Sequence, residues 1–508
     1  MVFSLFARFA KQSQPHEKRL LLTPLEQFAR RRGHAFHTDA RIYYHSEQVT
    51  IPFLLIDRNR GAYLFDIAPW KAEELYSARA EKAPRHTKKS KDVDVDRANR
   101  IFLRKLDAVQ HEKSCDISNF IYLPHLEREA FDALDNSFKR LIPSSRAIFA
   151  DDTEETIALK LADALAMRET PMEMSQLESA LFVQYTLLPD NLFEGLRQLT
   201  PQQKRYLHES LPSRSLLTGG YGSGKSSLIL LKALVEALDD PAKSIAIIQP
   251  TQAACELLSH QLLKLIEHAV IHIDPTRIRI VTPQQICKEH YQKVHRKPPV
   301  VAGNITDKMY AKALKIADIL FADDWHLIDP RYRDYLKHTQ KSATLHAVSD
   351  DPNAQENAAY RHHLPHSFRV PHSLSSYRSD ANVSVPNGTI EVMRGNGYIH
   401  TLHLIPKILE TAKSDELMIA VPNLAFGEAL LEEVADFIGC AATLFDPHKS
   451  LLNQDMEQLL IVPIEGLSGL QRRHLIVIHD DQTPEALLRH AVGRTAQRVY
   501  IIEHQSES

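Results

Sequence analysis

The sequence predicts an α/β architecture with parallel sheets, spread over more than one domain, and three observations carry that prediction. An apolar, strand-like run enters a glycine-rich loop that passes directly into an apolar helix, all between Leu216 and Leu238. Further on, strand-like runs at 417–421, 459–462, 475–478 and 499–502 alternate with helical segments, the order a parallel sheet requires. The length, 508 residues, exceeds what one core holds and corresponds to about three domains.

The loop is the strongest chemical signal. Gly219, Gly224, Lys225 and Ser226 satisfy the pattern Gly-x-x-x-x-Gly-Lys-Ser/Thr between a strand and a helix. Glycines let successive backbone N–H groups and the helix N-terminus face an anion. The whole stretch, Gly219, Gly220, Tyr221, Gly222, Ser223, Gly224, Lys225, Ser226 and Ser227, is therefore the expected phosphate cradle. Lys225 would reach the terminal phosphates of ATP, and the Ser226 hydroxyl would ligate Mg²⁺.

Composition adds exclusions. A net charge of −3 gives no global nucleic-acid signature, so any such surface must be local. Cys115, Cys255, Cys287 and Cys440 lack metal-ligand or disulfide spacing and read as packing residues in a reducing compartment. The apolar start is short and interrupted by Arg8, a poor signal peptide, and no run is long enough to cross a bilayer. A cytoplasmic protein without membrane contact is the expectation. His362, His363 and His366 lie in a loop-like segment without partner ligands, which argues against zinc.

Residues 1–153 read as a small α/β unit. A helix over 17–32 is followed by strands at 40–44, 49–56 and 62–67, an exposed basic and acidic loop over 80–100, and strands at 118–123 and 146–150. Residues 154–197 read as a helical linker or subdomain, 198–362 as a first nucleotide-binding domain and 363–508 as a second. The order within 1–153 resembles the nuclease-related domain, a relative of the restriction-endonuclease-like fold. That family cuts with carboxylates and a lysine around a metal ion. Here Pro52 stands where the metal-binding Asp belongs and Ala68 where the lysine belongs, while Asp66 and Trp70 are kept and Lys71 follows. One carboxylate holds a catalytic metal poorly, so the resemblance implies a nuclease-shaped domain that does not cut.

From 198 onward an ordered series of motifs resembles the core of superfamily 1 helicases, the group with the UvrD-like and RecD-like enzymes. The resemblance implies two RecA-like domains and assigns roles in turn. Gln203, just before the loop, would read the adenine edge; Pro250 and Thr251 at the end of one strand, and Thr282 at the end of the next, would touch nucleic acid. In the run 319–326, Asp323 would hold Mg²⁺, Asp324 would activate the attacking water in place of the family's Glu, and His326 replaces the γ-phosphate-sensing Gln. Asp351 and Gln355 correspond to the next motif, and Arg369 to an arginine on the γ-phosphate. Ser468 replaces a lysine in the run 465–471, and Arg494, with Gly493 before it, is the candidate arginine finger. The intervals from Lys225 to Asp323 and from Arg369 to Glu465 leave little room for accessory domains.

The function this implies is an ATP- and Mg²⁺-dependent translocase or DNA-stimulated ATPase on single-stranded DNA, in repair, recombination or defence. Two alternatives stay open. One is an ATP-binding scaffold within a nuclease–helicase assembly, and the other is an ATP-regulated nuclease.

Overall fold

The computed structural model describes residues 15–73, 95–109, 115–134, 136, 142–172, 174–182, 186–187, 197–299, 304–312, 314–350, 358–367, 382–383 and 389–504. Asp351, Gln355 and Arg369 lie outside these residues. The chain forms two compact units, one within 1–185 together with 266–273 and one comprising 186–265 and 274–508.

The first unit is built on a five-stranded sheet in sequential order, β1 (Ala35–Tyr44), β2 (Glu47–Asp57), β3 (Gly61–Ile67), β4 (Ile117–Leu123) and β5 (Ala147–Phe149). The first three strands pair antiparallel and the last two join in parallel. Period-two alternation gives each face its own core. Leu54, Ile56 and Leu64 pack against Ile101, Phe102 and Leu106 of α2 (Val95–Val109), while Phe53, Leu55 and Phe65 pack against Leu25 and Phe28 of α1 (Pro15–Arg32). Two helices from the segment read as a linker also enter these cores. Glu154–Ala164 supplies Ile157 and Leu161, and Met174–Leu181 supplies Leu177 and Leu181. Apolar residues at helical spacing need a face to cover, and here the sheet provides it.

The second unit carries two six-stranded sheets, both parallel throughout. The first lobe comprises β6 (Arg214–Gly219), β7 (Ile245–Ile248), β8 (Ile278–Val281), β9 (Ile319–Ala322), β10 (Thr344–Ser349) and β11 (Tyr360–Leu364), in the spatial order β8-β7-β9-β10-β6-β11. The order reverses beside β6, so the phosphate loop sits at the carboxyl edge near a topological switch point, where such sheets bind ligands. The second lobe comprises β12 (Thr389–Gly395), β13 (Leu417–Val421), β14 (Ala442–Leu444), β15 (Leu459–Pro463), β16 (Arg472–His479) and β17 (Thr495–His504), in the order β12-β17-β16-β13-β15-β14. The central strand β13 has every residue at 0% exposure. Burial of each of its larger side chains stabilises by about 1.5–3 kcal/mol relative to exposure.

The histidine segment read as a loop is a strand. In β11, Arg361 and His363 are exposed while His362 and Leu364 are buried, a period-two pattern hidden because histidine fills an inward position. His362 meets the Gln202 carbonyl at 3.0 Å and His363 meets the Thr218 hydroxyl at 3.1 Å. The cysteines are unbridged; Cys115, Cys255 and Cys287 are buried. Among the described residues no helix is long and apolar enough to cross a membrane.

Candidate functional site

The phosphate loop joins β6 to α7 (Lys225–Asp239), and its curvature depends on left-handed backbone at Gly222 (φ +75°) and Gly224 (φ +82°). An L side chain at either position would be strained. Lys225 folds back over the loop, donating to the carbonyls of Gly219 and Gly220 at 2.9 Å each and to Ser223 Oγ at 3.3 Å. Its ammonium also forms an ion pair with Asp350, the residue directly after β10.

Gln203 holds the loop from behind. Its Nε2 donates to the Ser223 carbonyl at 2.9 Å, while its Oε1 accepts from Thr200 N at 2.8 Å in a capping box at the start of α6 (Pro201–His208). Both ends of this amide are therefore engaged with protein. Tyr221 turns away from the loop and enters the core of the second lobe beside Met418, Leu467 and Val492.

Asp323 and Asp324 follow β9, and both are buried. Asp323 Oδ2 accepts from Gln249 Nε2 at 2.9 Å, whereas its Oδ1 is a buried oxygen without a hydrogen-bond partner. Burial first, then the Asp324 charge, pushes the Asp323 carboxyl up to about 6, against the hydrogen bond from Gln249. An oxygen-rich corner with one unsatisfied carboxylate oxygen and a hydroxyl fits a hard divalent cation such as Mg²⁺. Asp323 and Ser226 are the residues that would hold it.

Asp324 adopts left-handed backbone (φ +41°), strain of the kind that accumulates at functional sites. This turn aims its carboxylate at the second lobe, where Oδ2 accepts from Ser468 Oγ at 2.7 Å and Arg494 Nη2 at 3.0 Å. Burial opposes its charge, but Arg494 holds the carboxyl below the usual range. Ser468 is thus a direct partner of the Asp324 carboxylate.

Asp350 and His490 belong to this cluster and were not anticipated from the sequence. Burial opposes ionisation of Asp350, yet Lys225 and then His490 hold its carboxyl well below the ordinary value. His490 lies fully buried between Asp350 and Arg494, 3.8 Å from Asp350 Oδ2, and burial pushes its imidazole down to about 4. His326 approaches the same carboxylate at 3.9 Å and Ser349 Oγ at 3.5 Å. His326, Asp350 and His490 offer metal-ligand types close together. However, Arg494 can only donate, and it donates to His490 Nε2 at 3.3 Å through Nε. The neutral ring must then carry its proton on Nδ1, the atom a metal would need. Arg494 thus hydrogen-bonds His490, whereas Nδ1 faces Asp350 Oδ2 at 3.8 Å, beyond hydrogen-bond distance, as a buried donor without a hydrogen-bond partner.

Pro250, Thr251 and Thr282 sit at the carboxyl ends of β7 and β8. Thr251 Oγ1 accepts from Ala254 N at 3.2 Å and Thr282 Oγ1 from Gln285 N at 3.2 Å, so both cap the helices that follow, α8 (Gln252–His268) and α9 (Pro283–His295). Gln285 Nε2 reaches Gln252 Oε1 at 2.8 Å, tying the two helix starts together. Glu256 of α8 accepts from Ser450 Oγ at 3.0 Å and Leu451 N at 2.7 Å in the second lobe. These bonds join the helix that Thr251 caps to the second lobe.

In the first unit, Asp66 accepts from Ile67 N at 2.8 Å. Ala68 and Trp70 are buried in a cluster with Ile121, Leu123 and Phe149.

No family model matches the chain, and no curated protein matches it. Among solved structures, the DEAD-box helicase Mss116 bound to ssRNA and UDP-BeF is similar over 60% of this chain and 70% of that one, at 13% identity and a TM-score of 0.41. Mss116p bound to ssRNA and AMP-PNP matches over 61% and 70%, at 13% identity and a TM-score of 0.43. The DUF1998 helicase MrfA bound to DNA matches over 61% of this chain and 49% of that one, at 12% identity and a TM-score of 0.39.

Proposed function

We propose that the second unit is an ATP- and Mg²⁺-dependent, helicase-like motor of the superfamily 1 type that acts on single-stranded DNA. One observation carries the reading: Arg494 of the second lobe reaches Asp324 of the first, beside the phosphate loop. A cationic fork delivered across a lobe boundary is what couples closure to stabilisation of charge in phosphoryl transfer.

The loop backbone and Lys225 bind and orient the phosphates of ATP. Ser226 and Asp323 would hold Mg²⁺, which would supply neutralisation of phosphate charge. Asp324 orients the attacking water and accepts its proton, with Ser468 and Arg494 fixing the carboxylate in place. Arg494 then turns part of its fork to the transferring phosphoryl group, so hydrolysis and release alternately tighten and loosen the lobes. Glu256 and the caps Thr251 and Thr282 transmit that movement toward the strand ends where nucleic acid would lie. Gln203 supports the loop, and the second hydrogen and second lone pair of its amide leave it able to meet the adenine edge.

For the first unit we infer a nuclease-like shape without a cutting centre. Ala68, at the position a catalytic lysine would take, is committed to a hydrophobic core with Trp70, and Pro52 offers no ligand.

The test is ATP turnover with and without single-stranded DNA, beside Lys225→Ala. DNA-stimulated turnover that is lost in the variant is expected. Tight ATP binding with no stimulated turnover would instead assign the second reading, an ATP-dependent clamp in a nuclease–helicase assembly. The ion pair that engages Lys225 with Asp350 is the observation that favours that alternative. Metal-dependent DNA cutting lost in Asp66→Ala would reverse the reading of the first unit.

A further inference from the structure

The first lobe contains a cleft of about 840 Å³ that the ATP reaction does not use. Its walls include Arg214, Lys337, Lys341 and Arg361, against a single carboxylate, Asp334, with Trp325 at the back. The helical spacing of Asp334, Lys337 and Lys341 places them along one face of α11 (Pro330–Thr339) and the turn after it. Arg214 opens β6 and Arg361 is the second residue of β11. Because these strands run parallel, their first residues lie at the edge of the sheet opposite the phosphate loop. A six-residue strand separates the two edges by roughly 20 Å. The cleft is therefore a different place from the ATP site.

Four cations converge here in a chain whose net charge is −3. Arg214 anchors the wall by donating through Nη2 to the carbonyls of Gln340 at 2.9 Å and Lys337 at 3.2 Å, while its Nη1 is a buried donor without a hydrogen-bond partner. A buried guanidinium donor of that kind costs free energy unless an acceptor meets it. The volume falls within the range of small-ligand sites, roughly 300–1,000 Å³. Trp325 is only 1% exposed and its ring is overlain by Lys337 at 5.7 Å, so it offers no open face on which bases of a strand could stack.

We propose that this cleft is a second anion site, which takes a small organic polyphosphate of nucleotide size. Arg214 supplies the Nη1 donor that its wall contacts leave over, and Arg361, Lys337 and Lys341 supply positive charge for the phosphate oxygens. Trp325 directly follows Asp324, so an occupant of the cleft bears on the turn that aims the water-orienting carboxylate.

The experiment is calorimetric titration of the full-length chain carrying Lys225→Ala, which disables the phosphate loop, with inorganic tripolyphosphate as the probe. One saturable site per chain is expected. Lys337→Glu with Lys341→Glu should weaken it at least tenfold, whereas Lys337→Arg with Lys341→Arg should keep it within about threefold. Lys341→Glu alone, at an exposed position, keeps the test decisive if the double reversal does not fold, and should weaken binding about threefold or more. In a Trp70→Phe background, the emission of Trp325 should shift with the same saturation. Binding of tripolyphosphate that ignores these charge reversals would overturn the proposal. So would its absence together with binding of a single-stranded oligonucleotide that the reversals abolish.

Discussion

Arg494 and Asp324 meet at 3.0 Å although 170 positions separate them in the chain, and each side chain is about one-tenth exposed. In so dry a setting, removing one partner strands the other, at about 3–5 kcal/mol. Arg494→Ala is expected to reduce kcat for ATP by about 10²-fold or more, with a much smaller change in nucleotide affinity. Arg494→Lys restores the charge but not the fork that bonds Asp324 and His490 together, so it should recover only a fraction. Single-turnover hydrolysis measured beside nucleotide binding separates the two effects.

A steric counterpart lies on the same boundary. A Cβ built on Gly493 would stand 2.6 Å from the Cβ of Tyr221 and closer still to its ring. Gly493→Ala should therefore push the lobes apart and lower turnover at least tenfold. Tyr221→Ala should be mildly impaired by lost packing, but combined with Gly493→Ala it should restore much of the activity, because the obstruction is gone. Failure of the second substitution to rescue the first would mean that Gly493 matters for a reason other than its contact with Tyr221.

The elements legible in the sequence are those whose signal is local. The strand–loop–helix around Lys225 announces itself through fixed glycine spacing, and Asp323 with Asp324 through its place after a buried apolar run. The strands of the second lobe were readable where both faces are buried, as in β13. By contrast β12 exposes Glu391 and Val392 and gives no apolar run, and β14 spans only three residues. The cross-lobe pairings were not legible: Arg494 and Ser468 stand out as motif positions, but their contact with Asp324 does not. Asp350, Ser468 and His490 acquire meaning only when two sheets bring together positions more than a hundred residues apart. Tyr221 illustrates the same limit, because a loop position in the sequence becomes a core residue of the other lobe.

Asp350 places a carboxylate on the lysine that ATP needs. Lys225 must leave that ion pair, or share it, before it reaches a phosphate. Asp350→Asn keeps the shape and removes the charge, so ATP affinity should rise about tenfold, equivalent to about 1.4 kcal/mol. A fluorescent ATP analogue titrated against both proteins measures this. Weaker binding in the variant would show that Asp350 positions Lys225 rather than competing for it.

The pH dependence follows from Asp323. Burial and the Asp324 charge push its carboxyl from the ordinary 3.8 up to about 6, whereas Asp324 is held below the usual range and stays charged. Mg²⁺ needs the ionised oxygen, so Mg²⁺-dependent turnover should fall as pH drops through about 6. Stability without metal runs the other way. A carboxyl with a raised folded pKa binds its proton more tightly in the folded protein, so its stabilising contribution is complete below about pH 3.8 and is lost as pH rises through 6. Asp323→Asn should therefore be more stable than the parent at pH 7.5 without Mg²⁺, by on the order of 1 kcal/mol or more, and melt higher. That advantage should shrink toward pH 4.5, and added Mg²⁺ should raise the melting temperature of the parent alone. Parallel melts at the two pH values, with and without Mg²⁺, test all of these signs; a parent that gains nothing from Mg²⁺ at pH 7.5 would remove Asp323 as the metal ligand.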